Sequence, residues 1–264
     1  MRHRLGLLVL ILATGACLPD TVELSYSVEE GTTVAYRMTA KAEAEWNVGG
    51  PGRGSYEVGF DIEETITSSD EDGSVLVVEM VPIDARENGL PSPGLERRSF
   101  SLRIGPSGEV VEVLRVDGIE ASALDQEELA FIGTYRPPLP STPVKLRDEW
   151  TGPRPIQIGS GPQEIETTGT LIGFARDGAR ELARIAFTGT SPLEWITTLP
   201  QGEALLAGEA TTEGAAVFDI GGGKLDEATS STSGDFEVRV VPGNGEAPIA
   251  GTLHLDLELF VERV

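Results

Sequence analysis

The 264 residues hold one cysteine, Cys17, and two histidines, His3 and His254. A lone thiol excludes an internal disulfide. Beyond the N-terminal segment the single histidine, His254, reads as a solvated strand residue and no thiol remains, so Ser–His and Cys–His nucleophilic pairs and histidine–cysteine zinc sites are not expected. Basic residues are scarce, 20 against 43 acidic, for a formal charge of −23. A surface that acidic repels phosphate backbones, so no nucleic-acid partner is expected. Beyond the first twenty residues no apolar run approaches the roughly 20 residues that a membrane-spanning helix needs. The glycine-rich stretch DIGGGKLDEATSS (219–231) lacks the Ser or Thr after its lysine that a phosphate-binding loop requires, since Leu225 follows Lys224. It reads as a glycine-rich hairpin. SSDEDGS (68–74) lacks the spaced oxygens and distal glutamate of a calcium loop. No metal, no cofactor and no catalytic residue is therefore expected, and the chain reads as a non-enzyme. Paired-carboxylate hydrolysis is the one catalytic class these absences leave open. Glu64 is the acid to follow, because it lies between Ile62 and Ile66 on an apolar strand face; a strand bend or the sheet rim is its expected place.

What is present begins at the N-terminus. Arg2, His3 and Arg4 precede an apolar run of about ten residues, and Thr14, Gly15 and Ala16 stand directly before Cys17. Basic start, short apolar run and small residues are the layout of a secretory signal. A cysteine immediately after the small residues resembles a bacterial lipobox. The expectation is a signal peptide over residues 1–16, acylation of Cys17 by palmitate-like chains, and a short lipidated tether over 17–23. Two acyl chains anchor stably where one does not. The protein is then expected on the extracytoplasmic face of the cell membrane or envelope. A secreted protein with a stray cysteine is the plainer alternative.

Period-two alternation dominates the remainder. Val34, Tyr36, Met38, Ala40, Ala42, Ala44 and Trp46 share one side of a run. Tyr56, Val58, Phe60 and Ile62 share another, and Leu253, Leu255, Leu257, Leu259 and Val261 a third. Such alternation predicts long antiparallel strands with one wet face. The expected fold is mainly β, a curved sheet or half-barrel, with two similar halves. His254 alternates with leucines and should face solvent beside Asp256 and Glu258. Asp72-Gly73, Asp177-Gly178 and Asn244-Gly245 are hairpin signals. Helix-like spacing predicts one or two short helices near 119–133, within a first β unit spanning 24–135. A Pro-rich connector (136–150) leads into a second β unit (151–264), where Trp150 is expected to pack into the core.

The lipobox start, EEGTTVAYRM (29–38) and LPSTPVKLRDEW (139–150) together resemble a family of bacterial envelope lipoproteins of unknown function. Its Leu-Pro…Pro-Val…Gly-Asp-x-Trp motif matches Leu139-Pro140, Pro143-Val144, Asp148 and Trp150, and Arg147 stands where that family favours glycine. The resemblance implies a β-rich extracytoplasmic domain and brings no activity or catalytic residues. A further fold analogy is to half-barrel lipoprotein carriers. Two functions are consistent with the pattern. One is a carrier binding an apolar small molecule in its β concavity, with Tyr36, Met38, Phe60, Ile62 and Phe100 as wall residues. The other is an envelope protein–protein interaction or structural module whose core is filled.

Overall fold

The computed structural model describes residues 21–70, 73–92, 94–124, 135–158, 161–199, 202–244 and 247–264. The signal and Cys17 lie outside the described residues, as do Asp72, Gly245 and most of the expected helical insertion. The described strands are β1 (Thr33–Val48), β2 (Pro51–Asp70), β3 (Gly73–Glu87), β4 (Leu90–Pro91), β5 (Arg98–Ile104), β6 (Val110–Val116) and β7 (Ile119–Glu120). After the connector come β8 (Glu149–Ile158), β9 (Gly161–Asp177), β10 (Arg180–Leu199), β11 (Gly202–Asp219), β12 (Lys224–Pro242) and β13 (Ile249–Arg263). All belong to one antiparallel sheet in the order β7-β6-β5-β3-β2-β1-β13-β12-β11-β10-β9-β8, with β4 beside β3. The first and last long strands pair with each other, Tyr36 opposite Arg263 through Val48 opposite Gly251. Two up-and-down meanders thus share one continuous sheet.

The expected mainly β, curved-sheet class is what the chain adopts. Helix is nearly absent among the described residues: within the stretch expected to be helical, Ile119–Glu120 is a strand and Ala121–Ala123 a single 3₁₀ turn. The helical spacing there begins just after a tight hairpin at Asp117 (φ 51°) and Gly118 (φ 81°), which returns the chain onto β6. The β9–β10 hairpin uses Gly178 and Ala179 as its loop, because Asp177 pairs with Arg180. Gly178, at φ 62°, supplies the left-handed backbone.

The sheet does not close, but it curls steeply. Arg154 on β8 reaches Ser230 on β12 at 2.8 Å, although four strand spacings of about 4.8 Å separate those strands along the sheet. Close approach inside the curl needs small residues: a Cβ on Gly214 would stand 2.3 Å from the Phe187 ring. Between the edges formed by β6 and β8 runs the chain's own irregular backbone. Val22 forms a β-bridge with Val144. Tyr26 N–H donates to Pro106 O, Leu139 N–H to Ser107 O, and Trp150 Nε1–H to Pro138 O at 2.9 Å. The segment from Val22 to Tyr26 and the connector therefore tie the β5–β6 turn to β8. Val22, Leu24, Tyr26, Tyr135, Leu139 and Val144 are buried, so Val22, placed by sequence in the tether, lies in the core. Trp150 is half-buried, its ring laid over Gly169.

Candidate ligand-binding concavity

Register fixes which residues share the inner face. Met38, Phe60, Ile62 and Val261 stand in neighbouring rows across β1, β2 and β13. They join Tyr36, Phe100, Leu102, Phe187 and Phe218 in a first apolar cluster, around the Val22–Tyr26 segment and the connector. All five sequence-predicted wall residues lie here: Tyr36 (3% exposed), Met38 (0%), Phe60 (8%), Ile62 (0%) and Phe100 (3%). The structure brings them together, in a region packed by the chain's own segments.

A second cluster occupies the other half of the inner face: Ile165, Leu193, Trp195, Leu206, Phe236 and Val238 with their neighbours. Trp195 meets Phe236 edge-on, centroids 4.9 Å apart. Beside this cluster Leu253, Leu255 and Leu257 are only half-buried, as are Ala42, Ala44 and Tyr56, and Trp46 is exposed. The same sheet face is thus dry at one end and bordered by accessible apolar side chains at the other. A separate open groove of about 860 Å³ crosses β2, β1, β13, β12 and β11 on the outer face, walled by outward-facing residues such as Arg53, Glu45, His254, Asp235 and Glu237 over the strand row that holds Leu253. The five wall residues predicted from sequence are not among those that line it.

Four charged residues are buried among those described; Asp219 pairs with Arg263 at the end of β11, and three others lie beside the apolar clusters. Glu64 is 6% exposed. It lies in the core and not at a rim, because Arg136 and Tyr135, from the start of the connector, both donate to its Oε1. Burial opposes the charge of Arg136, but Glu64 and the surrounding tyrosines outweigh it, so its pKa rises. Burial also raises Tyr26, Tyr36 and Tyr135, which stay protonated donors. Arg154, the third, is 3% exposed. Its guanidinium lies 4.5 Å above the Phe187 ring, and burial pushes its pKa down to about 10. Both arginines were missed in the sequence, though Arg154 shares the parity of Trp150 in β8 and so falls on the apolar side.

His254 stands on the outer face as expected, 2.8 Å from Asp235 and 3.2 Å from Asp256. The hydrogen bond with Asp235 raises its pKa. Among the described residues no group of three or more histidine, cysteine or acidic side chains could hold a metal, and no helix is long and apolar enough to cross a membrane.

These features define a class: a single, open, strongly curled antiparallel sheet with an apolar inner face. No protein-family model matches the chain, and no curated protein matches it. Among solved structures it is similar to lipovitellin, in a study of lipid–protein interactions in that protein. The TM-score is 0.50 at 10% identity, over 90% of this chain and 25% of lipovitellin. The chain thus spans about a quarter of that relative's length, and the likeness is one of fold.

Proposed function

We propose that this chain is a lipid-anchored envelope protein, held by Cys17 on the extracytoplasmic face, which binds an apolar ligand in its β concavity. The observation that carries the binding reading is the contrast along the inner face. Its first cluster is dry, whereas the second borders half-buried Leu253, Leu255 and Leu257 and exposed Trp46. The lipid–protein interactions studied in lipovitellin, a protein of similar fold, support an apolar ligand by analogy. The layout of residues 1–17 supports the anchor. No catalytic residue is assigned.

Saturable binding of a hydrophobic fluorescent probe to the native chain, blocked by Leu255→Trp without unfolding, is the expected result. Probe binding only under partial denaturation overturns the reading. Metabolic labelling with a fatty-acid analogue tests the anchor separately: it should mark the wild type and not Cys17→Ser.

One observation favours the second reading, an interaction or structural module. The five predicted wall residues are all buried in the first cluster, together with residues of the Val22–Tyr26 segment and the connector. Under that reading the same probe finds no native site.

A further inference from the structure

Two arginines are buried inside the curl, and the protein treats them differently. Arg136 has Glu64 as its counter-ion. Among the described residues Arg154 has one hydrogen bond, from Nη2 to the neutral Ser230 hydroxyl. Its Nε and Nη1 have no hydrogen-bond partner among them. No described acidic side chain forms an ion pair with this cation. A buried charge with neither counter-ion nor full hydrogen bonding is strongly unfavourable, and such a group marks where a partner is missing. Trp195 Nε1, in the second apolar cluster, also lacks a partner, as does Nη1 of the ion-paired Arg136. All of these are donors, so what they lack is an acceptor.

Position narrows the chemistry. Arg154 sits at the junction of the two clusters: Ile165, opposite it on β9, belongs to the second, and Phe187, beneath its guanidinium, to the first. The first cluster is closed by Tyr26, Tyr135 and the connector. Apolar surface remains accessible toward the second, along Leu253, Leu255 and Leu257. A ligand reaching Arg154 from that side would lay an apolar body on the second cluster and end in a group that answers one positive charge. Each fork of the planar guanidinium pairs one Nη2 hydrogen with Nε–H or with Nη1–H. Ser230 takes one Nη2 hydrogen, and the other, with the unused Nε–H or Nη1–H beside it, leaves one fork for the two oxygens of a carboxylate.

We propose that Arg154 is the headgroup anchor for a long-chain carboxylate whose hydrocarbon lies along the second apolar cluster. The proposal rests on the apolar-ligand reading above and adds the charge that such a ligand carries. Buried against the second apolar cluster, the carboxylate would neutralise a core cation that has no counter-ion among the described residues.

The test compares cis-parinaric acid, a naturally fluorescent fatty acid, with its methyl ester on the secreted full-length Cys17→Ser chain at mildly alkaline pH. The acid should bind at least about tenfold more tightly than the ester, as expected for a desolvated charge-assisted pair. Arg154→Met should bring the acid down to the affinity of the ester and leave the ester unchanged. It should melt at or above the wild-type temperature, because it removes an unpaired buried charge. Equal affinity for acid and ester in the wild type overturns the anchor and leaves the apolar-ligand reading standing. Binding of neither overturns both. Should the methionine variant fail to fold, the acid-to-ester ratio of the wild type still decides.

Discussion

Glu64 and Arg136 show how one residue pair can organise a core. Each is nearly inaccessible, and they meet among Tyr26, Tyr36 and Tyr135. Neither charge is tolerable there alone. Removing the carboxylate by Glu64→Gln should therefore destabilise the protein by about 3–5 kcal/mol, because Arg136 is then buried unpaired. Replacing both, Glu64→Leu with Arg136→Met, should recover most of that loss, since an apolar pair of similar volume avoids the desolvation cost of both ions. Denaturant midpoints of the two variants measure the difference. A single variant as stable as wild type would mean that water reaches the pair. Glu64 was visible in the sequence as an acid on an apolar face. Its partner was not, because it comes 72 residues later from an irregular segment with no periodicity to fix where it points.

At the scale of elements, strands were far more legible than what lies between them. Alternation from Val34 to Trp46 and from Leu253 to Val261 reports which side of a long strand is wet, and the register confirms it pair by pair. The packing of the Val22–Tyr26 segment into the core is different in kind. Val22, Leu24 and Tyr26 do alternate with exposed Thr21 and Glu23, but so short a run ahead of the first long strand does not fix where a tether over 17–23 ends, and Val22 fell within it. The connector turn gives a sharper case. Asp148 N–H donates to Lys145 O, Lys145 N–H to Asp148 Oδ2, and Arg147 sits between them at φ 73°. The turn that the glycine of the resembling motif would make is formed with arginine in its place. A left-handed non-glycine residue costs roughly 1–2 kcal/mol, part of which glycine gives back as chain entropy. Arg147→Gly should therefore stabilise the protein by about 0.5–1 kcal/mol, read as a higher thermal midpoint; an unchanged or lower midpoint would show that the Arg147 side chain makes contacts worth the strain.

At the scale of the whole molecule, an open sheet leaves two edges, and an unpaired edge invites pairing with another chain. One edge is the seven-residue β6, covered over its last two residues by the two-residue β7. The other is β8, ten residues long and paired on one side with β9 from Glu149–Thr170 to Ile158–Gly161. Its sequence, EWTGPRPIQI, carries Pro153 and Pro155 two positions apart. Residues of equal parity turn their backbone nitrogens the same way. Proline, having no N–H, is confined in sheets to positions whose nitrogen would face away from the ladder. The outward side of β8 thus lacks two consecutive donors where a second strand would dock. Single-sheet architecture and edge protection are then linked: a sheet that curls without closing stays a discrete molecule only if its long free edge cannot be extended. Pro153→Thr with Pro155→Thr restores both donors and adds β-branched side chains that favour strands. That variant should associate as its concentration is raised, seen as a shift to heavier species in sedimentation velocity, while the wild type keeps one sedimentation coefficient over the same range. A variant that stays as dispersed as the wild type would show that the outward face of β8 is protected by something other than its prolines.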